Sequence, residues 1–195
     1  MGVTVTGLPA AVTTAVLAAF AAGRERLAGD VAVIGVDVAT GPDLHDLGQE
    51  QWIDMIRAAR EATFAIQEAA RELLEGGGRI VVVVPGHSLR TSRGAGAAAV
   101  AGSFLTTVAQ VAAAELGARG IRVNVVAAGP LEGAAPAATA TSVPAGRLTR
   151  PEDIAGACLL LASTEAGFIN GAVIAVDGGY AITKAVGGSP FAAAS

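Results

Sequence analysis

The order of apolar runs along the chain predicts an α/β protein, a doubly wound parallel sheet of about five strands in a single domain. Three observations predict it. Short β-rich runs alternate with longer segments of helical period over most of the 195 residues. The run "RIVVVVPG" at 79–86 is almost unbroken in β-branched residues, as expected of a strand covered on both faces. Apolar residues make up 52% of the chain and charged ones 15%, which supplies a core and argues against general disorder. Strands connected in this way are expected to be joined by right-handed crossovers, with helices on both faces.

The elements follow in order. "GVTVTG" is a short strand, and "PAAVTTAVLAAFAAGRERLAG" an Ala-rich helix with Pro9 near its start. "VAVIGVDVA" (31–39) reads as the second strand. "QEQWIDMIRAAREATFAIQEAARELLEGGG" is a long amphipathic helix. Trp52, Ile56, Ala59, Thr63, Ile66, Ala70 and Leu73 form its expected apolar stripe, and glycines end it. After the valine run, 94–114 has no charged side chain between Arg93 and Glu115, and Val100, Phe104, Leu105, Val108 and Val111 recur at helical spacing. "IRVNVVAAGP" is the next strand, and a Pro/Ala/Thr-rich loop spans 131–143. "RPEDIAGACLLLAS" is a helix with Pro151 in its first turn and acidic residues at its positive end. "GAVIAVDGG" is the last strand. The domain is expected to span 1–182, with an Ala/Gly/Ser tail over 183–195.

Charge and cysteine content narrow the partners. A net charge of -4 gives no means of neutralising phosphates, so nucleic acid is not expected as a partner. Cys158 is the one cysteine, which rules out an intramolecular disulfide and a Cys-rich metal site. The uncharged 94–114 stretch approaches the length of a membrane span. Its glycines and hydroxyl residues, and its few large apolar side chains, favour a buried helix instead. The start of the chain lacks the basic residues of a signal peptide. A cytoplasmic protein without membrane association is expected.

"GRLTRPEDIAGACLLLASTEAGFINGAVIAVDGGY", "GGGRIVVVV" and "AAAELGARGIRVNVVAAGP" closely resemble blocks of the classical short-chain dehydrogenases/reductases, in the family's order and spacing over about 50–182. The start, "VTVTGLPAAVTTAVLAAFAAG", is similar to the family's first strand and helix. The resemblance implies a Rossmann-like sheet that binds NAD or NADP. In the family a Thr-Gly-x-x-x-Gly-x-Gly turn wraps the pyrophosphate. This chain keeps Thr6 and Gly7 but has Ala11 and Thr13 where the later glycines stand. A Cβ there occupies the space that the backbone must leave for phosphates. Only "RERLAGD" separates the first helix from "VAVIGVDVA", so the family's second and third strands, which seat the adenosine, are missing. "DVAT" stands about where Asn-Asn-Ala-Gly is expected.

The family's catalytic positions can be carried over one by one. The proton-donating Tyr falls at Ala98 and the Lys that lowers its pKa at Gly102. The substrate-holding Ser falls at Pro85, or at Val84 if the register slips by one, and the relay Asn at Ala59. The carboxamide-binding Thr falls at Gly133, and Ala128 stands for a proline. None of these side chains moves a proton.

Other titratable residues read as structural. His87 and Ser88 follow a strand end, where ligands bind in open α/β sheets, and His87 is expected to be a solvated loop residue. His45 reads as surface beside Asp43 and Asp46, Tyr180 as packing, and Cys158 as a small core residue. No metal ligands are expected.

The resemblance also implies subunit contacts, through the helices at about 50–75 and 95–117 and through the last strand. Two neighbours, the sheet and a partner, would account for the apolar circumference of 94–114. The expectation is a catalytically inactive subunit that binds no cofactor itself and assembles with an active paralogue carrying NAD or NADP. The alternatives are an oxidoreductase with displaced groups, such as His87 with Ser88, and a homo-oligomeric module holding an acyl or polyketide-like ligand.

Overall fold

The valine-rich segments pair as expected. In the computed structural model, which describes residues 2–183, β1 (Val3–Thr6), β2 (Val31–Gly35), β3 (Gly78–Pro85), β4 (Ile121–Ala128) and β5 (Val173–Val176) are parallel and lie in chain order across one sheet. The helices between them are α1 (Ala10–Ala22), α2 (Gln49–Leu73), α3 (Gly96–Leu116) and α4 (Pro151–Ala162). Side chains alternate in direction along a strand, so β3 feeds two cores. Ile80, Val82 and Val84 pack with Ile66, Leu73 and Leu105 of α2 and α3. Val81 and Val83 pack with Val16, Phe20, Ile154 and Leu161 of α1 and α4.

The crossovers correct one expectation. All four connections step the same way across the sheet, yet α1 and α4 lie on one face and α2 and α3 on the other. Two of the four crossovers therefore have the opposite hand to the other two. Right-handedness throughout would have put every helix on one face. The apolar stripe of α1 (Val12, Val16, Phe20) finds its partner in α4, while α2 and α3 already cover β2 to β4 on the other face. Burial of that stripe outweighs the preference for hand.

Three further readings are refined. The second strand stops at Gly35, and the chain leaves the sheet for the loop that begins at Asp37. On α2 the buried stripe is Met55, Ala59, Ala62, Ile66, Ala69 and Leu73, whereas Ile56 is 59% exposed. On α3 Leu105, Ala109 and Ala113 pack in the core with the strands, Ala97 and Ala101 pack against Met55 of α2, and Val100, Phe104 and Val111 are about half exposed. Helical spacing identifies which residues share a face, but not which face meets the sheet. The small alanines won that contact because they allow close approach. Residues 184–195, most of the expected tail, lie outside the described residues.

Candidate functional site

A cavity of about 520 Å³ opens at the C-terminal ends of β1 to β4. Its position follows from the helices. After β1 the chain turns to the α1 face and after β2 to the α2 face, which leaves a crevice between the two strand ends. Gly7 makes the first turn with φ +70, and a Cβ there would strike the Gly35 carbonyl, so only glycine serves. Leu8 then folds over Gly35, and α1 starts after Pro9 without a side-chain cap. Leu8, Pro9 and Val12 thus wall the cavity at the helix N-terminus.

The residues at the family's turn positions behave differently from a phosphate cradle. Thr6 and Ala11 are exposed, and the Thr13 hydroxyl donates to the Leu8 carbonyl at 3.4 Å. Among the described residues β1 is the edge of the sheet, with no strand on its outer side. At the rim, the Arg93 guanidinium is held by the Asp43 carboxylate, and Gly41 N–H donates to Gly94 O at 2.7 Å. These contacts tie the loop after β2 to the loop before α3.

Of the expected site positions, Pro85, its one-residue alternative Val84 and Ala128 line the cavity. Ala59 and Ala98 are buried at 3% and 0% exposure and do not line it. Gly102 is buried as well, and a Cβ on it would lie 3.0 Å from Ser88 Cβ and 3.1 Å from Pro85 O. A side chain at 102 requires that turn to give by a few tenths of an ångström. Gly133, at φ +84, lies in an open turn beyond the cavity.

His87 lines the cavity and is half-buried rather than solvated. Desolvation lowers its pKa, against a smaller opposing effect of a backbone hydrogen bond with Arg90. The imidazole is therefore neutral at pH 7. Its hydroxyl neighbour is Ser92, with Nδ1 3.5 Å from Oγ. Ser88 instead donates to Pro85 O at 3.1 Å, so the pair expected from adjacency does not form.

Tyr180 also lines the cavity. The Arg90 guanidinium stacks 4.2 Å from its ring centroid and donates to its carbonyl at 2.6 Å. The turn beneath is capped by Asp177, whose carboxylate accepts from Gly179 and Ala181 N–H at 2.8 and 2.7 Å.

Outside the cavity, His45 is exposed and paired with Asp46 at 3.2 Å. Burial pushes the Cys158 thiol up to about 12, which leaves it an inert core residue. Among the described residues no three His, Cys, Asp or Glu side chains form a metal-binding group.

Asp37, Ser92 and Arg93 were not singled out by sequence reasoning. The rule that sites lie beyond strand C-termini reaches Asp37. Nothing local announces the Arg90–Tyr180 contact, which joins residues 90 apart in sequence.

Comparison with known proteins adds the ancestry. The family profile described as enoyl-(acyl carrier protein) reductase matches residues 9–181. The chain is 31% identical over 164 residues to the D-threitol dehydrogenase of Mycolicibacterium smegmatis, covering 78% of this chain and 63% of that protein. It is 36% identical to the cis-4-hydroxycyclohexanecarboxylate dehydrogenase of Sinomonas cyclohexanicum, covering 77% and 64% respectively. Among solved structures, acetoin dehydrogenase from Enterobacter cloacae superposes with a TM-score of 0.72 at 26% identity, over 87% of this chain and 70% of that one. A short chain dehydrogenase from Bacillus anthracis gives 0.67 at 33% identity, over 77% and 64%. The chain thus spans less than two thirds of the length of the curated relatives named here.

Proposed function

The chain belongs to the short-chain dehydrogenase/reductase family, and we propose that it is a catalytically silent member that assembles with an active paralogue in the cytoplasm. The observation that carries this reading is the closure of the catalytic positions. Ala98 has no accessible surface, and Gly102 abuts Ser88 and Pro85. Neither position offers a proton or the room for a group that would. The dinucleotide does not fit this chain either. Leu8, Pro9 and Val12 occupy the helix end where phosphates approach, and among the described residues β1 has no outer strands to seat adenosine. NAD or NADP then belongs to the partner.

The assembly surface is the outer side of the two helices over the α2–α3 face. Ile53, Ile56 and Phe64 on α2, and Val100, Phe104 and Val111 on α3, are large apolar side chains left at least 40% exposed. Together with the edge of β5, which pairs with no further strand among the described residues, they supply the kind of apolar centre that stable interfaces bury, within a total on the order of 2,000 Å². A homo-oligomer through the same surface is the fallback.

Purified alone, the chain is expected to oxidise no NADH or NADPH with ketone substrates. Co-expressed with a full-length paralogue from its own genome, it is expected to elute as one complex. Separate elution would defeat the assembly, and turnover by the isolated chain would defeat the silence. A second reading, an oxidoreductase with displaced groups, is favoured by the enzymatic names of the relatives and by His87 beside Ser92 in the cavity. The same turnover assay decides between them.

A further inference from the structure

We propose that two copies of this chain pair edge to edge through β1, with their β1 strands antiparallel about a two-fold axis at Thr4. The hydrogen-bond register supplies the first argument. The Gly2 carbonyl accepts from Val31 N–H at 3.0 Å, and Val3 and Val5 lie opposite Val31 and Val33. In a parallel ladder alternate residues bond to one neighbour, so Gly2, Thr4 and Thr6 turn their backbone groups to β2. The N–H and C=O groups of Val3 and Val5 point the other way, and among the described residues no strand receives them. Set antiparallel about Thr4, Val3 of each copy meets Val5 of the other, and each such pair exchanges both of its hydrogen bonds. The two Thr4 side chains, exposed in the single chain, then face each other as a favourable cross-strand pair.

The side chains say what kind of partner fits. Edge strands that avoid pairing carry charge, proline or a bulge, and Val3–Thr6 carries none of these. No charged residue occurs from Gly2 to Gly23. On α1, Ala10, Leu17 and Ala21 share one exposed flank, while Ala15 and Ala19 on another flank pack against the core that α1 shares with α4. A groove of about 210 Å³, lined by Val3, Leu17, Phe20, Ala21, Arg24 and Leu27, joins the exposed flank to β1. An uncharged surface of small residues and one leucine complements a second copy of itself and offers a charged partner little to hold. α1 is about 20 Å long and about 10 Å across, and the strand edge adds about 5 Å of width. The surface covered on both copies is on the order of 1,000 Å², which suits a reversible dimer. It is separate from the α2–α3 face assigned to a paralogue, and neither reading depends on the other.

The test combines sedimentation velocity of the full chain with cysteine cross-linking. Wild-type protein is expected to dimerise reversibly with a Kd in the micromolar range. Leu17 lies beside Val3, near the axis, so Leu17→Arg brings two like charges together. It should weaken the dimer at least about tenfold without lowering the melting temperature, because the position is already 46% exposed. Thr4→Cys places two thiols in a non-hydrogen-bonded pair with Cα atoms about 4.5 Å apart, and mild oxidation should give a covalent dimer. Thr6→Cys places them about 13 Å apart and should give none. Cys158 is buried and does not compete. Phe104→Arg, on the α2–α3 face, should leave the Thr4→Cys cross-link intact. Wild-type protein that stays monomeric at high micromolar concentration would overturn the proposal. So would a folded Thr4→Cys chain that forms no covalent dimer, a dimer that Leu17→Arg leaves untouched, or loss of the cross-link on adding Phe104→Arg.

Discussion

β3 and β1 are built from similar residues, yet they hold very different places in the molecule. β3 is eight residues long, pairs on both edges and sends side chains into two cores. β1 is four residues long, pairs on one edge and is only half covered. Its valines, Val3 and Val5, face the α1 side, while Thr4 and Thr6 on the other side are exposed. The Val-Thr alternation suits a strand with one wet face, as the valine run suits a strand with none. The difference teaches where a truncated family fold keeps its stability. The layers around β2 to β4 are covered on both faces, whereas β1 keeps one face wet.

The comparison can be broken by mutation. The largest expected contrast is Leu105→Ala, at 0% exposure between α3 and the sheet, against Val5→Ala in β1. The first should cost about 2–5 kcal/mol of unfolding free energy and the second about 1 or less. Equal losses in urea melts would place the stability elsewhere.

Next comes the double change Ala98→Tyr with Gly102→Lys, which restores the family's residue types. It should destabilise the protein by about 1–3 kcal/mol through overpacking against Ser88 and Pro85, and restore no turnover. Measurable NADH oxidation by this variant would show that the positions are silent but not closed.

The smallest effect sharpens the view of the cavity. Burial lowers the pKa of His87, so the folded state binds its proton less readily than the unfolded chain does. Stability should be full above about pH 6.5, decline as the pH falls toward the folded pKa, and level off below it. His87→Gln should remove that part of the slope. An unchanged profile would mean that the imidazole is solvated after all.

Much of the fold was legible because it depends on periods and residue chemistry. β-branched runs and apolar stripes placed every strand and helix, and glycines and Pro151 marked several of their ends. The cavity was legible only as a location. That His87 lies past a strand end is visible in "VVVVPGHS", but its partner is Ser92 and not its neighbour Ser88, because a turn of the backbone turns Ser88 toward Pro85 O. Tyr180 read as packing, and its second role as a cavity wall rests on Arg90.

From its residues alone, this chain determined that it would build a parallel α/β sheet of about five strands. That follows from residue chemistry and local spacing, which no packing can change. Tertiary structure decided the rest: which helix face meets the sheet, the mixed hand of the crossovers, the closure around Gly102, and which polar groups share a cavity. Those outcomes depend on apolar stripes competing for the same surface, as α1 with α4 shows. Such a competition is settled only when all the layers are present at once.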